Sequence, residues 1–232
     1  MQRQELQRSD YRIRKLIGVL GLALPFLLPI SESQFLSSIS HYYYLSFSSL
    51  LFIIILSSFG LFLISYKGYE SRDSEKISDD MLTNIGGLAA LIVVFFPTYC
   101  TGSESEAIDA LCKNGDYPLL GHNDKLTNTI HLVSAGIFIF TMGWMSKYKF
   151  TRGSDHTNNK IYRICGNIVW AAIALLVLLF IADLIKDGFK ITKYDVYILE
   201  TIAVVPFAIS WLIKGRTIQH IKDLFKQNQS LQ

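Results

Sequence analysis

The chain has 232 residues, a formal net charge of +3, 50% hydrophobic and 18% charged side chains, and a mean hydropathy of +0.32. Soluble domains carry roughly 25% charged residues, and here the apolar residues run in blocks close to the ~20 residues that cross a bilayer. The pattern excludes a soluble two-domain enzyme, a disordered chain and a DNA-binding module.

Six blocks read as spans, at about 16–36, 45–66, 81–97, 129–146, 163–184 and 194–213. Backbone polar groups inside a bilayer must be satisfied within the segment, so each block is expected to be a helix. The first is the most interrupted. Pro25 and Pro29 each remove a helical hydrogen bond, which predicts a kink and then an interfacial segment ending near Ile39. Basic residues precede this block, but no small-x-small cleavage site follows, so it reads as an uncleaved span. The fold class expected is an all-α polytopic membrane protein: one domain over 1–232, a bundle of six transmembrane helices.

Orientation follows from Lys and Arg. Of the 22, 17 fall in the N-terminus, the 67–80 loop, the 147–163 loop and the tail, and 5 fall on the opposite side. Both termini are therefore expected in the cytoplasm. Tyr42, Tyr43, Tyr44, Tyr99 and Tyr194 then read as outer interfacial anchors, and Tyr66, Tyr69, Trp144, Tyr148 and Trp211 as inner ones. Residues 71–76 read as an ordinary solvated loop.

The longest outer segment, 98–128, holds Cys100 and Cys112. On the oxidising side of a membrane these are expected to pair. A bridge closing about a dozen residues contributes roughly 2–3 kcal/mol in the chain-entropy model. Cys165, at the inner end of the fifth span, is expected to stay reduced.

Ionisable residues inside spans mark functional sites. There are three, His131, Asp183 and Glu200, all in the outer third of the membrane under this topology. Helical spacing extends two of them into stripes: His131, Ser134, Phe138 and Thr141 on span four, and Tyr197, Glu200, Thr201 and Val204 on span six. Ser46, Ser49, Ser57 and Gly60 share a face of span two, and Gly86 and Ala90 form a small-xxx-small pair on span three, both patterns typical of helix packing. A structural role for Glu200 would pair it with His131 or Lys193. Glu32, His41, His122 and Asp124 gather at the outer mouth, where with His131 they offer acid–base groups but no metal-ligand spacing. On the inner side Arg12, Arg14, Lys15, Lys147, Lys149, Arg152, Lys160 and Arg163 form a basic face, suited to lipid headgroups, to an anionic cytoplasmic ligand or to a partner protein. No phosphate-binding loop, Gly-x-Ser-x-Gly elbow, haem or iron–sulfur pattern is present, so no cofactor is expected.

The strings Ile39-Ser-His-Tyr-Tyr-Tyr44, Phe62-Leu-Ile-Ser-Tyr-Lys-Gly-Tyr69, Gly86-Gly-Leu-Ala-Ala-Leu-Ile-Val-Val-Phe-Phe-Pro97 and Lys160-Ile-Tyr-Arg-Ile-Cys-Gly166 resemble an uncharacterised family of small six-span bacterial inner-membrane proteins. The resemblance covers most of the chain and implies a multi-pass protein of that membrane; it carries no assigned chemistry. The chain departs from the seven-span zinc hydrolases of the alkaline ceramidase type, which need a second histidine four residues after His131, where Ala135 stands.

Three functions fit these features. The first is an oligomeric ion conduit or membrane-acting effector, with His131, Glu200, Asp183, Ser134, Thr141 and Thr201 along a polar path. The second is an intramembrane hydrolase acting on a lipid or lipid-linked substrate at the outer leaflet, with His131 as base or metal ligand. The third is a structural partner of another membrane protein.

Overall fold

Long apolar runs without polar breaks leave helix as the only way to satisfy the backbone, and in the computed structural model every regular element among the described residues is a helix, with no strand. Those residues are 2–69, 77–102, 104–152, 156–186 and 188–216, and the side chains of 2–10 and 156 are not described. The solvated loop expected at 71–76 and the tail beyond 216 lie outside them.

Among the described residues seven α-helices follow in order: α1 (Gln2–Glu32), α2 (Ser46–Ser65), α3 (Asp79–Phe95), α4 (Glu106–Asn114), α5 (Lys125–Trp144), α6 (His156–Ile185) and α7 (Asp195–Lys214). A 3-10 helix, Ile39–Tyr44, joins α1 to α2, and a π-helical turn, Met145–Lys149, extends α5. Five of the helices are long and apolar enough to cross a membrane: Tyr11–Glu32 within α1, α2, α5 with its extension, Thr157–Ile185 within α6, and α7. The expected third span corresponds to α3, whose 17 residues rise about 26 Å at ~1.5 Å per residue, just under the ~30 Å hydrocarbon core.

The first helix corrects the expected boundary. It runs through Pro25 and Pro29 and stops at Glu32, not near 36. Ser33, at φ +53°, turns the chain out. The connecting segment then continues as a 3-10 helix to Tyr44, beyond Ile39.

Helices α2 and α3 cross at glycines. A Cβ on Gly87 would lie 2.6 Å from the Gly60 carbonyl oxygen, and one on Gly60 would lie 2.8 Å from that of Gly87. The next residue, Gly86, admits α5, since a Cβ there would meet Thr141 Oγ1 at 2.5 Å. Two adjacent glycines thus let the α3 backbone meet the α2 backbone at Gly60 and the α5 side chains at Thr141 and Met142, the close approach that small residues permit in membrane helices. Phe59, Phe138 and Phe207, from α2, α5 and α7, meet in the bundle centre with ring centroids 5.3–5.4 Å apart. The sixth helix stands apart from this core. Only 11% of its apolar window is buried, against 39–44% for the other four spans.

The two ends of the bundle differ in chemistry. One end carries Asp79, fully buried, which bonds Arg152 and lies 3.6 Å from Lys149 Nζ. Lys214 Nζ there donates to the carbonyls of Phe150 and Arg152 at 2.7 and 3.0 Å. Part of the expected basic face therefore turns inward: Arg14 and Lys149 are buried, whereas Arg12, Lys160 and Arg163 remain exposed. Lys147 lies over the Trp170 ring at 4.6 Å. The other end carries the Cys100–Cys112 disulfide, the short helix α4 and the 3-10 segment.

Candidate functional site

Three tyrosines in succession build the platform of the site. Tyr42, Tyr43 and Tyr44 are all but fully buried, at 0%, 1% and 1% exposure, and so are not the membrane-facing anchors the sequence suggested. Each hydroxyl ties down a different strand of loop. Tyr42 donates to the Gln34 carbonyl at 2.7 Å and accepts from Leu36 N–H; Tyr43 accepts from Leu120 N–H at 3.2 Å. Tyr44 donates to the Thr98 carbonyl at 2.5 Å and accepts from His122 N–H. Burial pushes the Tyr44 phenol up to about 12, so it stays a neutral donor.

On this platform the segment 37–41 meets four polar partners from distant parts of the chain. Ser38 Oγ donates to both carboxylate oxygens of Glu200 at 3.0 Å, and Ile39 N–H donates to Glu200 at 2.7 Å. Neither His131 nor Lys193 pairs with Glu200; the Lys193 ammonium instead donates to the Glu104 carbonyl at 3.3 Å. One residue further along, Ser40 Oγ lies 2.9 Å from His131 Nε2, while His131 Nδ1 lies 2.8 Å from the Phe96 carbonyl oxygen. A carbonyl only accepts, so Nδ1 carries the proton of the neutral ring and Nε2 is left to accept from the Ser40 hydroxyl. His131 is 2% exposed and Ser40 is partly exposed.

A second knot closes the segment from above. Ser37 donates to Glu104 through both its N–H, at 2.8 Å, and its hydroxyl, at 2.5 Å. His41 Nδ1 lies 3.2 Å from the same carboxylate, and His41 Nε2 lies 3.1 Å from Thr101 Oγ1. Burial works to raise the Glu104 pKa, but the hydrogen bonds from His41 and Ser37 outweigh it and hold it at about 2.

The remaining expected residues have individual places. Glu32 accepts from Ser48 N–H at 2.8 Å, capping the first turn of α2, where Leu45 has no side chain to offer. Asp124 caps α5 through Thr127 N–H at 2.7 Å, and its carboxyl is held below the usual carboxylate range chiefly by that bond. His122 bridges the Pro97 carbonyl and Asp124 N–H. Ser134 and Thr141 are buried on the His131 face of α5, but the Thr141 hydroxyl returns to its own helix at the Phe138 carbonyl, and Thr201 does the same to Tyr197. Between His131 and Thr141 the phenylalanine layer leaves a void of about 10 Å³ lined by apolar side chains alone, at the lower limit for one water. Among the described residues no group of three His, Cys, Asp or Glu could hold a metal ion.

Asp183 stands apart from the segment. It is exposed on α6 and lines a groove of about 500 Å³ between α5, α6 and α7. The groove is apolar along Leu132, Gly136 and Ile139 of α5 and along Ile173, Val177 and Phe180 of α6. Asp183, Lys190, Asp195 and Glu200 also line it. Glu200 therefore touches both features, the groove on one side and Ser38 on the other.

Sequence reasoning missed Ser37, Ser38, Ser40, Thr101 and Glu104. Comparison of the chain with protein-family models, with curated proteins and with solved structures gave no match.

Proposed function

We propose that this chain is a six-span protein of the bacterial inner membrane, both termini cytoplasmic, that takes a phospholipid or lipid-linked substrate from the outer leaflet into the groove between α5, α6 and α7. The Lys and Arg distribution supports the orientation, which sets the disulfide end outside. The resemblance to small six-span inner-membrane proteins supports the same placement, with α3 as the short third span.

The observation that carries the lipid reading is the groove itself. Apolar walls laid along α5 and α6 suit acyl chains, because within a bilayer no water is at hand to fill them. The charged residues Asp183, Lys190 and Asp195 provide two carboxylates and an ammonium, which suits a zwitterionic headgroup carrying an amine and a phosphate. A second copy of the chain is the competing occupant. A two-fold axis along the membrane normal brings equivalent residues together at equal depth, so a twin seated here would set Asp183 against Asp183. A conduit through the single chain is disfavoured by the phenylalanine layer, so that reading needs a path between subunits.

Native mass spectrometry from nanodiscs containing phosphatidylethanolamine and phosphatidylglycerol tests the reading. One retained phospholipid per chain is expected, with loss of retention in Gly136→Leu. A Cβ at Gly136 meets nothing within 4 Å, so the added side chain fills the groove without displacing the fold. Equal retention by both proteins, or release of a dimer that covers the groove, would contradict it.

A further inference from the structure

We infer that Ser40 is a nucleophile and His131 its general base, and that the pair transfers an acyl group from an ester-linked membrane lipid to water. The substrate class rests on the lipid reading above; the serine–histidine chemistry rests on its own geometry.

An activated serine needs a base within hydrogen-bond reach and a third group that holds the base in the right tautomer. All three are present. Ser40 Oγ is 2.9 Å from His131 Nε2, and the Phe96 carbonyl, 2.8 Å from Nδ1, fixes the tautomer that leaves Nε2 able to accept. The Phe96 carbonyl is a positioning group and takes no proton. The imidazole is almost fully enclosed, while the serine is partly exposed. That is the arrangement a protected base and an accessible nucleophile require.

The surroundings restrain Ser40 from both sides along the chain. Ser38 is anchored to Glu200 on the groove, and its Oγ also accepts Ser40 N–H at 3.1 Å. His41 is anchored to Glu104. Glu200 thus lines the groove that would hold the lipid and also bonds Ser38, which stands two residues along the chain from Ser40.

The reaction balances without a metal or redox partner. Ser40 Oγ attacks the ester carbonyl carbon as its proton passes to His131 Nε2. The tetrahedral intermediate collapses, the carbon–oxygen bond to the leaving alcohol breaks, and that oxygen takes the proton from Nε2. Water then attacks the acyl-serine and gives a proton to Nε2. Collapse returns that proton to Ser40 Oγ and releases the fatty acid.

The test is labelling of the full-length protein in native membranes with a fluorophosphonate probe, followed by peptide mapping. A single adduct on Ser40 is expected, absent in Ser40→Ala. His131→Gln keeps a hydrogen-bonding side chain but removes the base, and labelling should slow at least a hundredfold, the lower end of what a general base supplies. The wild-type peptide map alone decides whether Ser40 is labelled, so the test survives a failure of the histidine variant to fold. No adduct at Ser40 overturns the inference. If lipid is still retained in the groove, the lipid reading stands without it; an adduct at Ser40 with no lipid retention would leave the nucleophile and remove that substrate class.

Discussion

The Tyr197 hydroxyl donates to the Pro25 carbonyl, and the bond answers a vacancy that the sequence itself creates. In an unbroken helix the Pro25 carbonyl would accept from the N–H of residue 29, but residue 29 is Pro29, which has none. Tyr197 of α7 supplies the missing donor across the α1–α7 interface. The helical assignment runs on through both prolines, and the carbonyl they leave open makes a specific contact to the neighbouring helix.

Removing that donor leaves a buried carbonyl unsatisfied. Tyr197→Phe should destabilise the protein by about 1–3 kcal/mol, read as a lower unfolding temperature in detergent. Tyr194→Phe, at a position 38% exposed, is the comparison and should leave the transition unchanged. Equal behaviour of the two variants would show that the Pro25 carbonyl is satisfied in another way.

Glu104 ties stability to acid pH. Its pKa is held at about 2 in the folded protein, below the ordinary value of 4.5. A depressed carboxyl stabilises the fold above the unfolded pKa, and that contribution disappears as pH falls through the folded one. The disulfide end should therefore loosen between pH 4.5 and 2, read as faster proteolysis within 98–124. Glu104→Gln should be looser at neutral pH and show a flatter dependence across the same window.

The glycine crossing predicts a sharp contrast between two alanine variants. Gly87→Ala places a methyl 2.6 Å from the Gly60 carbonyl oxygen, where no side chain can move aside. Overpacking of this kind costs about 1–3 kcal/mol. Gly136→Ala should be neutral or stabilising in the same melt, since its Cβ meets nothing within 4 Å and alanine favours the helix by up to ~1 kcal/mol.

The Cys100–Cys112 bridge closes a loop with a sequence separation of 12, for which the chain-entropy model gives about 3 kcal/mol. Replacing both cysteines with serine should lower the unfolding temperature, and reducing agent should then have no further effect. Cys165, buried and unpaired, should leave that redox response intact when changed to Ser.

Apolar runs made the helices legible, and the boundaries failed where tertiary partners decide them. The first helix ends at Glu32, whose carboxylate accepts from the first-turn N–H of Ser48 in α2, a contact no periodicity records. His131 and Glu200 stood out because a charge within a span is conspicuous. Their partners did not. Ser40 reaches His131 across 91 residues and Ser38 reaches Glu200 across 162, and in a stretch rich in serine nothing marks these two from Ser33 or Ser46. Glu104 read as one more loop acid, and only the fold carries it over Ser37 and His41. The tyrosine triplet misled for a related reason: aromatic residues beside an apolar run suit an interfacial belt and a buried platform equally well. Asp183 shared its depth with the other two ionisable residues, but helical phase set it on the groove and away from the 37–41 segment.

The proposal that the α5–α6–α7 groove takes a lipid is tested most directly by photocrosslinking the membrane-embedded protein with a phospholipid carrying a diazirine on its acyl chain. Adducts are expected to concentrate on residues 129–139 of α5, 173–183 of α6 and 195–200 of α7, and to fall away in Gly136→Leu. Adducts spread evenly over the lipid-facing surfaces of α1, α2 and α3 as well would mean ordinary bilayer contact, and would contradict a lipid site in this protein.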